Sequence, residues 1–437
     1  MRWSAPADRR VVAAVLACFR DTPSRVHKKL SALDQQAWSR SYYWLDASGM
    51  ALYLLRSLEL SGVEDALPAA VLARLRQNSV DNKARSADLF EEFLSINQAF
   101  LTAGVSFCNL KGFTLSPDSC PDPSLRCQLD LDFLIDGSQI DLCREILSQR
   151  GYTLCGETKN VREFKAGPST LTDIRDHYKA RPQRSLELHF ACSADSERTP
   201  SRDERLDRLA TRTWDGLSLP VLSSADQFIG QALHLFGHLC GPCTRLAWFL
   251  EYRRHRLLRA NDTTFWEQVR EQSQAHPHAA TAIGLATVLS NRLFGAGNVP
   301  QVDSWTVDSL SPTVRLWADL FGEQAVLADF PGTKLYLLLK EQLASEADVW
   351  KQEKRKGLLP LRPAPRISVP APGDNFAKRM GAHLNQLRFI LFRLRFHSTQ
   401  GLAYAFAQRR WKRHLALLQQ SPHFIPKEAP LTQGGNS

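Results

Sequence analysis

Residues 129–135 read LDLDFLI, an apolar strand pattern in which Asp130 and Asp132 occupy alternate positions. Alternate side chains of an extended chain share a face. Leu129, Leu131 and Phe133 therefore point into a core, and both carboxylates point out of it. Strands disfavour Asp. Two carboxylates whose Cα atoms are about 6–7 Å apart also repel each other unless a positive charge lies beside them. A second stretch, LELHF at 186–190, repeats the design, with Leu186, Leu188 and Phe190 on one face and Glu187 and His189 on the other. If the two strands are neighbours, three carboxylates collect on one face of a sheet whose other face is apolar. A half-buried antiparallel strand with a solvated face shows the same alternation, but such faces favour Thr, Lys or Arg over paired Asp.

The surrounding pattern is mixed. Strand-like runs at 105–110 (VSFCNL), 127–135, 152–157 (YTLCGE) and 184–192 (RSLELHFAC) alternate with a helical stretch at 138–151 that ends at Gly151. Before and after this block the apolar period is helical. A helix over 87–103 is expected to start at Ser86 as N-cap and stop at Gly104. LPLRPAPRISVPAPG (359–373) reads as a proline-rich linker, and two basic amphipathic helices are expected at about 376–396 and 400–419. The predicted fold class is α+β: a small mixed β-sheet core flanked by helical regions. The expected divisions are a helical N-terminal region (1–85), the core (86–222), a helical domain (223–357), the linker (358–375) and a basic amphipathic helical tail (376–437).

No apolar stretch reaches the roughly 18–20 residues of a membrane span. VVAAVLACF at 11–19 is short and is followed at once by Arg20 and Asp21, so it is expected to be an amphipathic helix rather than a leader. Nine cysteines without a repeated spacing predict reduced thiols and a cytoplasmic protein. The net charge is +10, and the stretch from Phe376 to Lys427 holds ten Lys or Arg and no Asp or Glu, so the rest of the chain is balanced. That stretch suits a solvated surface, a helix packed on the body with arginines reaching outward, or a contact with nucleic acid or an anionic membrane.

Three carboxylates on a rigid sheet suit Mg²⁺, with Mn²⁺ as an alternative, in phosphoryl or nucleotidyl transfer. NLKGF at 109–113 supplies a complementary turn. Gly112 lets backbone approach a phosphate, a helix starting there offers N–H groups, and Lys111 adds a point charge. An ordinary solvated lysine in a turn fits Lys111 as well. Arg126 suits a phosphate contact or an ion pair with one of the aspartates, and the second is favoured.

Taken together, "LKG…DPSLRCQLDLDFLI" followed by "LELHF" resembles the uncharacterised nucleotidyltransferase family of the DNA polymerase β-like superfamily, over about residues 85–255. The resemblance implies that Asp130 and Asp132 are the metal-binding pair and that Glu187 is the third carboxylate, with His189 after it. It implies that Lys111 and Gly112 form the nucleotide-phosphate turn and that Arg126 is the arginine preceding the pair. Phe113 stands where the wider superfamily has Ser or Gly, and Glu187 stands where Asp is expected. The implied activity is Mg²⁺-dependent transfer of a nucleoside monophosphate from an NTP such as ATP to a hydroxyl of an acceptor, in a bacterial-type cytoplasmic protein. The acceptor is a small molecule, a peptide or a protein. The alternative is a catalytically degenerate nucleotide- or partner-binding module, accessory or antitoxin-like, which the Phe113 and Glu187 departures favour.

HLFGHLCGPC at 234–243 raises a third reading, a zinc or thiol protein. Cys240-Gly-Pro-Cys243 has the letters of a redox motif, and His234, His238, Cys240 and Cys243 are ligand types. The redox motif needs a preceding strand, however, and a helical pattern precedes this one. In the resembled family a His-bearing helix followed by residues like Arg245 and Trp248 closes over the nucleotide domain, which implies a packing or substrate-lining role.

Overall fold

The computed structural model describes residues 6–168, 176–193, 199–359, 361 and 375–420. Two compact units form. The larger comprises Ser4–Gly237 and Thr244–Ser309, and the smaller comprises Met1–Trp3, His238–Cys243 and Leu310–Ser437.

The larger unit is built on a mixed sheet, as expected. In chain order its strands are β1 (Phe107–Leu110), β2 (Leu131–Ile135), β3 (Thr153–Glu157), β4 (Val161–Ala166), β5 (Arg184–His189), β8 (Ala210–Trp214) and β9 (Leu217–Val221), while β6 (Ala191–Cys192) and β7 (Pro200–Ser201) form a separate pair. The spatial order is β3-β4-β5-β2-β1-β9-β8. β2 runs parallel to β5, and β1 runs parallel to β9.

The apolar alternation sets which face is buried. Leu131, Phe133 and Ile135 of β2 join Leu186 and Leu188 of β5 in one core cluster with Phe93, Ile96 and Phe100. The Phe133 ring is fully buried and lies 5.4 Å from Phe100 and 6.1 Å from Phe107, centroid to centroid. Burying such a ring contributes about 1.5–3 kcal/mol. Asp132 lies on the opposite face.

Strand β4 was not anticipated. It has charged residues at Arg162, Glu163 and Lys165 and one buried aromatic, Phe164, so its apolar signal is weak. The β8–β9 hairpin was also missed, although Asp215-Gly216 carries its turn: both residues have positive φ, 48° and 79°, as a two-residue hairpin turn of the Asp-Gly type requires.

Ser86 does not cap a helix. One helix of 34 residues, Ala69–Thr102, runs straight through it. The polar run NSVDNKARS in its middle looks like a break, yet Asn78, Asn82 and Arg85 are buried on one face of this helix. Asn82 Nδ2 donates to the carbonyls of Ser124 (2.6 Å) and Arg126 (2.9 Å). Arg85 donates to the carbonyls of His177 (2.9 Å) and Gln128. The incoming loop takes up the Asn82 Nδ2 and Arg85 donors, which holds these residues in the helix, while Asn78 Nδ2 and Asn82 Oδ1 are buried without a hydrogen-bond partner.

In the smaller unit a single helix, Phe376–Gln419, replaces the two expected. Thr399 Oγ1 donates to the Arg395 carbonyl at 2.9 Å, which accommodates the polar stretch within the helix. The linker expected at 358–375 falls mostly outside the described residues. Among the described residues no helix is long and apolar enough to cross a membrane.

Candidate active site

Parallel pairing of β2 with β5 sets Asp132 directly beside Glu187. His189, two residues further along β5, completes the group. Its Nε2 is 3.0 Å from Asp132 Oδ1 and 3.2 Å from Glu187 Oε2. One ligand atom from each of Asp132, Glu187 and His189 lies within 4.8 Å of the others, the only such group of three or more His, Cys, Asp or Glu side chains among the described residues. The expected set was Asp130, Asp132 and Glu187. Asp130 sits one residue ahead of β2, outside that tight group but close enough for its charge to be felt.

Environment separates the two aspartates. Burial pushes the Asp132 carboxyl up, but hydrogen bonds from His189 and Lys111 outweigh this and hold it well below the usual carboxylate range. Asp130 is pushed up to about 6 by burial and by the Asp132 and Glu187 charges. Burial lowers His189, and the two carboxylates more than offset that, so it is raised. The counter-charge that a carboxylate pair demands is present. Lys111 Nζ lies 2.8 Å from Asp132 Oδ1.

The turn before the site is conformationally special. Lys111 and Gly112 both have positive φ, 49° and 48°. The positive φ favours glycine at 112, and a Cβ there would come within 2.3 Å of the Gln128 amide, which would have to move aside. The segment Gly112–Leu115 is a short 3₁₀ turn. Phe113 is part of the core, its ring 5.1 Å from Phe90 and 5.2 Å from Phe93. The next residue, Thr114, has a hydroxyl, and it donates to the Lys111 carbonyl at 2.7 Å.

Arg126 pairs with neither aspartate. Its Nε is 2.9 Å from Glu251 Oε1, and the same oxygen accepts from Tyr53 OH at 2.7 Å. Glu251 lies 125 residues further along the chain, a pairing no local pattern signals.

A cleft of about 520 Å³ reaches the site through Lys111 and His189 and is lined also by Thr114, Arg126, Trp248 and Glu251, but none of Asp130, Asp132 and Glu187 lines it. His234 also lines it, its ring 4.8 Å from that of Trp248, and the Arg245 guanidinium is 5.4 Å from the Trp248 ring centroid. The Cys240-Gly-Pro-Cys243 stretch follows a helix, Ser224–Leu239, and burial pushes the Cys240 thiol up to about 11. That shift is opposite to the one an activated redox cysteine needs.

A family model described as uncharacterised nucleotidyltransferase matches residues 34–295. The chain belongs to the uncharacterised nucleotidyltransferase family. Membership makes it a transferase of nucleotidyl groups and covers both acidic strands, Lys111, Arg126 and the cleft wall through Trp248. No curated protein matches the chain.

The loop that delivers Asp130 is held by positive charge. Arg85 donates to Cys127 Sγ at 2.7 Å as well as to the His177 and Gln128 carbonyls. His177 is buried, and burial together with the charges of Arg245, Arg181 and Arg85 pushes its imidazole down to about 3. A depressed base stabilises the fold above its usual value near 6.5, and that contribution is lost as pH falls toward 3. From pH 7 to pH 5 the native chain should lose about 2 kcal/mol relative to a His177→Gln variant. Urea midpoints of both proteins at the two pH values test this, and parallel pH profiles would contradict it.

Proposed function

We propose that this nucleotidyltransferase moves a nucleoside monophosphate from an NTP onto a hydroxyl of an acceptor, using a divalent ion held by Asp132 and Glu187 with Asp130 at the rim. The observation that supports this reading is the Asp132–Glu187 register, with His189 between the two carboxylates, beside a cleft of ligand size. The donor set fits such an ion: the carboxylate oxygens suit Mg²⁺, and Mn²⁺ also accepts an imidazole nitrogen. Bound there, the ion would supply Lewis-acid neutralisation of the α-phosphate and the departing pyrophosphate.

The acceptor hydroxyl oxygen attacks the α-phosphorus, a new P–O bond forms as the hydroxyl proton is released to water, the bond to the β-phosphate oxygen breaks and pyrophosphate leaves. Lys111 reaches the same face of the sheet and places a positive charge where a triphosphate would lie. His189 orients both carboxylates. The Trp248 and His234 rings offer an aromatic wall for a base or an acceptor. A bacterial cytoplasmic setting belongs to this reading, and all nine cysteines are thiols.

Titration calorimetry with each NTP, with and without Mg²⁺ or Mn²⁺, followed by a pyrophosphate assay in whole-cell lysate with labelled NTP, tests the proposal. Metal-dependent binding with pyrophosphate release and a labelled acceptor is the expected result. Binding without turnover would instead support a non-catalytic nucleotide-binding module, the reading favoured by Phe113 in place of a hydroxyl. No NTP binding under any condition overturns both. Divalent-ion affinity should fall by about tenfold per pH unit below pH 6, where Asp130 keeps its proton. A flat Mn²⁺ affinity between pH 7 and pH 5 would remove Asp130 from the ligand set.

A further inference from the structure

The Phe376–Gln419 helix is apolar on two separate sides. Tyr404 and Trp411 are buried, with Trp411 6.3 Å from Phe321, ring centroid to ring centroid. Phe376, Met380, Leu384, Leu387, Leu391 and Leu394 are 44–78% exposed. At about 100° per residue these six fall within roughly 80° of the circumference, about 130° around from the buried pair. Leu402 and Phe406, 65% and 68% exposed, extend the stripe. Arg388 and Arg409 are exposed on or beside it. The helix carries nine Lys or Arg and no Asp or Glu.

Such a face must be covered by something that takes up leucine side chains and tolerates a dense positive charge. A nucleic-acid backbone satisfies the arginines but leaves the leucines in water. A second copy of the helix buries the leucines but brings nine positive charges against nine more. An anionic lipid surface does both: acyl chains receive the leucines and headgroups pair with the arginines.

We propose that the exposed stripe of residues 376–406 docks on an anionic phospholipid surface, with the helix lying in the interface rather than crossing it. The charge density suits that orientation, and no described helix is apolar enough to span. The inference is independent of the nucleotidyl-transfer chemistry.

The test is co-sedimentation of the full chain with phosphatidylcholine vesicles, with and without phosphatidylglycerol. Partition onto the phosphatidylglycerol vesicles should be at least about tenfold stronger. It should fall about tenfold or more in the triple variant Leu387→Glu, Leu391→Glu, Leu394→Glu, and by a similar factor in Arg388→Gln with Arg409→Gln. All five positions are exposed, so circular dichroism should be unchanged. If the triple variant misfolds, Leu391→Ala with Leu394→Ala gives a milder loss of the same sign. Equal partition onto both vesicle types overturns the proposal, as does binding indifferent to the leucine changes. It is likewise overturned by a dimer that the leucine variant dissociates without any vesicle binding, or by nucleic-acid binding that only the arginine variant abolishes.

Discussion

Asp132→Asn should lower nucleotidyl transfer at least about a hundredfold, the loss expected when a direct metal ligand, rather than a group supporting one, is removed. The change is nearly isosteric, and it removes the charge on which Lys111 (2.8 Å) and the His189 imidazole (3.0 Å) converge. With Asn in place, the raised affinity of His189 for its proton depends on Glu187 alone, so the imidazole should titrate at lower pH. Pyrophosphate release measures the first effect and the His189 NMR titration measures the second. Near-wild-type turnover would mean that the ion, if any, binds elsewhere.

Glu251→Ala should destabilise the larger unit by about 3–5 kcal/mol. Glu251 is 3% exposed, and its Oε1 takes hydrogen bonds from both Arg126 and Tyr53. Removing it strands a half-buried, cleft-lining guanidinium whose proton affinity is raised by the Glu251 charge against the cost of burial. A double change, Arg126→Met with Glu251→Leu, removes both charges and should recover much of the loss, so the pair is expected to be strongly non-additive. Chemical denaturation of the four proteins of this cycle measures it. A Glu251→Ala cost below about 1 kcal/mol would show that water reaches the pair and that it is not a structural tie.

The acidic centre was legible because strand alternation is a two-residue code: Leu131 and Phe133 against Asp132, and Leu186 and Leu188 against Glu187 and His189, announce one buried and one polar face from spacing alone. Their pairing in register is not a local property, but the shared pattern pointed to it. Arg126 shows the opposite case. Its partner could be read only as the nearest acid in sequence, and tertiary packing supplies Glu251 instead. Asn82 and Arg85 were missed because polar residues inside a helical stretch look like a break. Their spacing with Asn78, four and then three residues, is a helical face in its own right. Strand β4 was missed because its one buried aromatic leaves no period to count.

The 34-residue helix Ala69–Thr102 has a practical consequence for dissecting the chain. Its first half clamps the peptide carbonyls on the approach to Asp130, and its second half contributes Phe93, Ile96 and Phe100 to the floor beneath the strands. A fragment trimmed to begin at residue 86 would keep the floor and discard the clamp. Such a fragment should still form its sheet, yet the segment presenting Asp130 would lose its fixed position, making excision a way to uncouple folding from chemistry.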